Sequence, residues 1–131
     1  MKTILTRTVP LILVFLYSTI SMAAMVVAVI DTGLDRMGFP EASLWTNAGE
    51  VGVDSKGRDK RTNGVDDDGN GFIDDVHGFN FAENKADFSD SNGHGTHIAG
   101  IIRRQSPETH LMILKYYAPH KPHENLKNTA R

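Results

Sequence analysis

The stretch MVVAVIDTG, residues Met25 to Gly33, decides the fold that we expect for this chain. It is a continuous apolar and largely β-branched run that ends abruptly at Asp31. A strand that is apolar on both faces is typical of a sheet buried between layers, as in parallel α/β domains. Catalytic groups of such sheets lie beyond the carboxyl ends of the strands, so Asp31 stands where a functional side chain is expected. An Asp that merely caps a turn is the alternative interpretation.

A second informative stretch is DSNGHGTHIAG, residues 90–100. The spacing of Ile98, Ile101 and Ile102 gives one apolar stripe and predicts a helix from His94 to about Arg104. Further along, the run from Leu111 to Tyr117 predicts another strand. Strand, helix and strand in this order indicate an α/β domain with a parallel sheet.

His94 is the candidate general base. It stands at the predicted helix N-terminus between Gly93 and Gly95, where other groups can approach closely. A helix N-terminus disfavours the imidazolium form, whereas a carboxylate at one ring nitrogen favours it and fixes the tautomer. Asp31 and His94 together would therefore give an oriented imidazole that can accept a proton. His97, one turn later, is interpreted as a packing or hydrogen-bonding residue of the helix.

The segments around these two residues resemble the Asp and His motifs of the subtilisin-like serine proteases. The resemblance rests on VVAVIDTGLD, Val26 to Asp35, and NGHGTHIAGII, Asn92 to Ile102. It implies that Asp31 orients His94, that His94 is the general base, and that the substrate is a protein or peptide. The implied fold class is α/β: a partial, truncated subtilisin-like parallel sheet with flanking helices.

The third member of such a triad has no counterpart in this sequence. The resemblance implies a serine in a Gly-Thr-Ser-x-Ala setting, and none of the serines after residue 23 lies in one: Ser43, Ser55, Ser89, Ser91 and Ser106. An oxyanion-binding asparagine from later sequence is not visible either. We therefore expect a fragment that is inactive alone, with the missing C-terminal half of the protease as a possible partner.

Two other interpretations remain open at this stage. The first is a non-catalytic module, either a calcium-binding protein or one half of a split protease. The second is an aspartic-type protease, because a hydrophobic run followed by Asp31-Thr32-Gly33 also marks that class. The aspartic interpretation requires an all-β chain and leaves His94 and its helix unexplained.

An acidic segment in the long region between the predicted strands suggests a cation site. Residues 66–75 carry five carboxylates, and Asp66, Asp68 and Asn70 follow the first half of a calcium-loop pattern. The pattern fails at its last position, where His77 replaces a bidentate Glu. The resemblance implies calcium-braced loops, so Ca²⁺ is the expected cofactor, with Asp66, Asp68, Asn70 and Asp74 as ligands. A solvated acidic turn is the alternative.

The N-terminal residues and the overall composition indicate where the protein is located and which partners to expect. Basic residues, a short apolar run and small residues predict a secretory signal over residues 1–23 and a partial peptidase domain over 24–131. A secreted or periplasmic protein without a stable membrane span after cleavage is expected. The formal charge of −2 gives no reason to expect nucleic acid as a partner, and the absence of cysteine excludes disulfides and a cysteine nucleophile.

Overall fold

The computed structural model describes residues 25–117. Three strands, β1 (Val26–Asp31), β2 (Gly78–Asn80) and β3 (His110–Lys115), form a parallel sheet in the order β1-β3-β2. One α-helix, α1 (His94–Gln105), connects the long loop region to β3. The predicted α/β class with a parallel sheet is thereby confirmed, and the all-β chain that an aspartic protease needs is excluded.

The element boundaries lie close to those predicted. The helix begins at His94, as expected, and ends one residue later than expected. The last strand ends at Lys115 rather than Tyr117. Such differences of one or two residues are ordinary at element ends.

The core lies on one side of the sheet, between α1 and the inward-facing residues of β1 and β3. In β3 the side chains alternate strictly between a buried and a partly exposed face, and Leu111 and Ile113 are fully buried. The buried apolar cluster consists of Val29, Leu34, Leu44, Phe88, Ala99, Leu111 and Ile113.

The expectation that β1 is buried on both faces is not met among the described residues. Val29 is buried, whereas Val26 and Ile30 are 45% and 55% exposed. These two side chains point to the face of the sheet opposite α1. Among these residues no helix has the length and apolar character that a bilayer-spanning segment requires.

The long region between β1 and α1 is mostly irregular, as predicted. Its regular pieces are β2 and three short 3₁₀ turns, at Glu41–Ser43, Ala48–Glu50 and Lys60–Thr62. The acidic segment is attached to the sheet by an aromatic contact, because the Phe72 ring lies 4.8 Å from the ring of Phe79 in β2. The predicted signal peptide over residues 1–23 lies outside the described residues.

Candidate active site

The carboxyl end of β1 presents Asp31 to the start of α1. The Asp31 side chain is 16% exposed, and its Oδ1 atom accepts a hydrogen bond of 2.7 Å from the Thr32 amide. The parallel register places Asp31 beside Lys115 at the end of β3. The carboxylate is thus held at the sheet edge where a parallel α/β fold concentrates its functional groups.

His94 is the first residue of α1, and its ring meets Asp31 directly. The Nδ1 atom lies 2.8 Å from both carboxylate oxygens of Asp31. A carboxylate only accepts hydrogen bonds, so Nδ1 must carry the proton in this contact. The Nε2 atom of the neutral ring is therefore left with a free lone pair, which is the form that a general base requires.

Two glycines allow the strand end and the helix start to come this close. A Cβ atom on Gly95 would lie 2.3 Å from the Gly33 carbonyl oxygen, so any side chain there would push α1 away from β1. Gly33 has a φ of +113° and turns the chain sharply after Asp31. The Gly95 amide then donates 2.9 Å to the Thr32 hydroxyl. Asp31 and His94 are thus brought together by backbone contact.

Asp90 caps α1 from four residues before its first residue, since the residue at the cap position, Gly93, has no side chain. Its Oδ1 atom accepts from the amides of Asn92 and Gly93, and its Oδ2 atom accepts from the amide and hydroxyl of Thr96. Partial burial works to raise the pKa of Asp90, but the hydrogen bonds, led by those from Thr96, outweigh it and hold that pKa well below its usual range. Asp90 therefore stays charged and fixes the first turn that carries His94.

The surroundings of His94, the nearby serines and His97 bear on the roles predicted for them. The His94 side chain is 63% exposed, so Nε2 is open to an approaching group. The Ser89 hydroxyl donates to Asp87, and no hydrogen bond in residues 25–117 joins a serine to His94. His97 is exposed and therefore does not pack into the core. The stripe of the helix that faces the core is formed by Ile98, Ala99 and Ile102.

In the acidic segment, two of the four predicted calcium ligands accept hydrogen bonds from backbone amides of the loop. The Asp66 carboxylate accepts from the backbone amides of Gly69, Asn70 and Gly71. The Asp74 carboxylate accepts from the amide of Gly64. Of the other two predicted ligands, Asp68 is a member of a cluster of three carboxylates, and the side-chain amide of Asn70 donates to that cluster.

That cluster consists of Glu50, Asp68 and Asp75, and one carboxylate oxygen from each lies within 4.8 Å of the other two. Glu50 is fully buried: its Oε1 atom accepts from the Asp67 amide, whereas its Oε2 atom has no hydrogen-bond partner within residues 25–117. Burial raises the pKa of Glu50 and of Asp75, and the neighbouring carboxylates add to both effects.

These residues fit a hard cation. Three convergent carboxylates with an unpaired, buried oxygen are the donor set that Ca²⁺ prefers, and without a cation such a cluster is costly. The Asn47 side-chain amide donates to Asp68 and Asp75, and so partly offsets the repulsion between their carboxylates. Gly49 gives Asp68 room, since a Cβ atom there would lie 2.3 Å from that of Asp68. The sequence pattern missed Glu50 because it lies far ahead of the acidic run.

Comparison with protein families gives one match that covers most of the chain. The model of the family described as "Subtilase family" matches residues 23–116. This range includes both residues of the Asp31–His94 contact and the whole acidic segment.

Curated relatives match over a shorter stretch. The "Subtilisin-like protease 1" of Plasmodium vivax is 43% identical over 76 residues, which is 58% of this chain and 11% of the relative. The protein of the same name from Plasmodium berghei (strain Anka) is 37% identical over 78 residues, 58% of the chain and 12% of the relative. The chain thus spans about a tenth of the length of these relatives.

Proposed function

The chain belongs to the subtilase family of serine peptidases, and we propose that its Asp31 and His94 are two members of a catalytic triad for peptide-bond hydrolysis. The observation that carries the proposal is the contact of 2.8 Å between His94 Nδ1 and the Asp31 carboxylate at the carboxyl end of a parallel strand. Asp31 orients the ring and stabilises the imidazolium that forms. His94 Nε2 accepts the proton of the nucleophile and passes it to the leaving amine.

The nucleophile in this proposal is a serine outside the described residues. Sequence and geometry both support this, because no serine of residues 25–117 bonds to His94 and the chain has no Gly-Thr-Ser-x-Ala segment. The 131-residue chain alone is therefore expected to be inactive, and to need a polypeptide segment that contributes the serine and the oxyanion donors. Its substrates are proteins or peptides.

A chimera tests the assignment. Residues 23–116 replace the matching segment of the P. vivax protease, which supplies its own serine, and hydrolysis of a peptide substrate is measured. We expect activity that Asp31→Asn lowers by about 10⁴-fold in kcat and that His94→Ala abolishes. His97→Ala is the matched control and keeps the activity of the chimera. A folded chimera whose activity survives His94→Ala would exclude the proposed role.

The non-catalytic alternative is tested on the chain itself. A fluorophosphonate probe labels activated serines, and the isolated 131-residue chain is expected to show no labelling. Labelling appears when a second polypeptide that contains the Gly-Thr-Ser-x-Ala segment of a relative is added, if the two associate. A chimera that folds and stays inactive, together with unlabelled chain in both conditions, would favour a stand-alone binding module.

We further propose that Ca²⁺ braces the loop region through Glu50, Asp68 and Asp75. The unpaired Oε2 atom of the buried Glu50 supports this proposal, as does the convergence of the three carboxylates. Calorimetric titration of the full chain with CaCl₂ is expected to show one site, which Glu50→Gln removes. Glu108→Gln changes an exposed carboxylate outside the cluster and serves as the control. Equal binding by both variants would refute the site.

The proposed location is secreted or periplasmic. It rests on the predicted signal over residues 1–23, whose basic start and short apolar run are typical of secretory leaders. Expression in a bacterium followed by mass spectrometry of the exported protein tests it. We expect a mature N-terminus at Ala24, and an uncleaved, membrane-retained chain would contradict the proposal.

A further inference from the structure

Lys115 breaks the pattern of its strand. The other inward-facing side chains of β3, Leu111 and Ile113, are fully buried and apolar, and Lys115 takes the next inward position with 8% exposure. A buried ammonium group costs free energy that an apolar side chain of the same length would not. Packing of the core therefore does not account for a lysine at this position.

The ammonium group makes one specific contact near the candidate active site. Lys115 Nζ donates a hydrogen bond of 2.6 Å to the backbone carbonyl of Ser89, its single hydrogen-bond acceptor within residues 25–117. The aliphatic part of the side chain passes beside Gly33, where a Cβ atom would lie 3.2 Å from Lys115 Cδ. Lys115 is also the register neighbour of Asp31.

Ser89 leads directly into the segment that fixes the helix start. The next residue is Asp90, which binds the first turn of α1 through Asn92, Gly93 and Thr96. On its other side, the Phe88 carbonyl accepts from the Leu34 amide, in the turn that follows Asp31. The Ser89 carbonyl thus lies between the strand end that carries Asp31 and the helix start that carries His94.

We propose that Lys115 is a positioning residue for His94: its hydrogen bond to the Ser89 carbonyl fixes the Asp90 turn, so that His94 Nδ1 stays on the Asp31 carboxylate. This inference rests on the proposed function, because it assigns Lys115 a part in the same proton-transfer site. Lys115 touches neither His94 nor the reacting atoms, and acts through the backbone of residues 89–93.

The test measures the tautomer of His94 in the full chain, labelled with ¹⁵N at histidine, at a pH where the ring is neutral. In the wild type we expect the Nδ1–H form to predominate, because Asp31 accepts that proton. Lys115→Met is expected to lower the ratio of the Nδ1–H to the Nε2–H form by roughly three- to tenfold, the effect of one weakened hydrogen bond. Lys115→Arg, which keeps a charged donor, restores part of the ratio.

Lys85→Met is the matched control. Lys85 is exposed and pairs with Glu83 and Asp87, so its loss removes a positive charge near the same segment and leaves the Ser89 carbonyl bond in place. We expect its tautomer ratio to equal that of the wild type. An unchanged ratio in folded Lys115→Met, or an equal fall in Lys85→Met, would overturn the inference.

A measurement on the wild type covers the case in which Lys115→Met does not fold. The ammonium protons of Lys115 are expected to exchange with water at least about tenfold more slowly than those of Lys85, because they are buried and bonded. Equal exchange rates would refute the positioning role. A wild type in which neutral His94 is mainly Nε2–H would instead refute the Asp31–His94 pairing, so failure of the proposed function has its own signature.

Discussion

The two residues of the candidate pair differ in exposure in the way that their roles require. The Asp31 side chain is 16% exposed and is fixed by a hydrogen bond from the Thr32 amide, whereas the His94 side chain is 63% exposed. A group that orients another must be fixed, and a group that exchanges protons with substrate must be reachable. The residue types and their separation of 63 positions could be predicted from the sequence, because each follows a recognisable local pattern.

Asp90 is the residue whose charge matters for keeping this arrangement together. Asp90→Asn keeps the shape of the side chain but replaces one acceptor oxygen with a donor. The amide cannot accept from both the helix-start amides and Thr96. We expect a loss of about 1–2 kcal/mol in the free energy of unfolding at pH 7, the usual effect of a lost helix cap.

The pH dependence of this loss has a definite sign. The folded-state pKa of Asp90 is lowered, so the stabilising effect is complete above the unfolded-state pKa of about 4 and is lost as the pH falls through the folded-state value. Urea denaturation of the wild type and Asp90→Asn between about pH 7 and pH 2 measures this. The difference between them should be constant above about pH 5 and shrink below about pH 4. A difference that stays constant to the lowest pH would contradict the assignment.

At the scale of elements, the contact between β1 and α1 determines whether the two side chains meet. The sequence predicted both elements because a buried β-branched run and an apolar stripe of helical period are local signals. It also indicated that glycines flank His94. It could not show that Gly95 faces the Gly33 carbonyl, because that contact depends on the packing of α1 on the sheet.

Gly95→Ala tests this contact directly. The added methyl group would lie 2.3 Å from the Gly33 carbonyl oxygen, so α1 must shift away from β1. We expect a loss of about 2–3 kcal/mol in the free energy of unfolding, typical of overpacking at a rigid contact. The peptidase activity of the chimera should fall as well.

Gly100→Ala, in the same helix, is the matched control. In the part of the chain that the structure describes, no atom outside the neighbouring helix backbone lies within 4 Å of its added methyl group. Because alanine favours a helix more than glycine does, this variant should be stabilised by about 0.5–1 kcal/mol. Thermal unfolding of the two variants checks the pair of expectations, and equal effects would mean that helix propensity alone governs both positions.

The acidic segment shows where local patterns stop being informative. Asp66, Asp68, Asn70 and Asp74 were predicted as ligands from their spacing. In the structure, the carboxylates of Asp66 and Asp74 accept hydrogen bonds from backbone amides of the loop. Glu50 was missed because it lies in a separate 3₁₀ turn, and only the folded chain brings it to Asp68 and Asp75. A calcium-loop pattern describes the spacing of ligands within one segment of sequence. The carboxylates of this cluster come from two separate segments.

At the scale of the whole molecule, the proposed cation at the acidic cluster would compensate for a shortage of regular structure. Most of residues 34–89 is irregular, so ordering this region costs conformational entropy that few strand or helix contacts offset. A cation bound to Glu50, Asp68 and Asp75 would cross-link two distant parts of the region. Ligand binding to the folded state alone adds stability that grows with the ligand concentration.

Glu50→Gln therefore separates the effect of the cation from that of the fold. Without calcium, glutamine removes a buried charge and its unpaired Oε2 atom, so the variant is expected to be about 1–3 kcal/mol more stable than the wild type. With calcium at about 100 times the dissociation constant, the wild type should gain about 2.7 kcal/mol and the variant nothing. Denaturant unfolding in EGTA and in CaCl₂ measures both states.

Glu108→Gln again serves as the control and should follow the wild type in both conditions. The decisive result is that the wild type, the less stable protein in EGTA, gains stability in CaCl₂ while the variant does not, because a merely structural Glu50 would make the variant less stable in EGTA as well as in CaCl₂. A buried carboxylate that weakens the calcium-free fold and stabilises the loaded one is explained by a cation site, and by neither core packing nor a solvated acidic turn. With that result, the proposed ion would be what keeps the irregular half of the molecule in shape beside the sheet edge on which Asp31 and His94 meet.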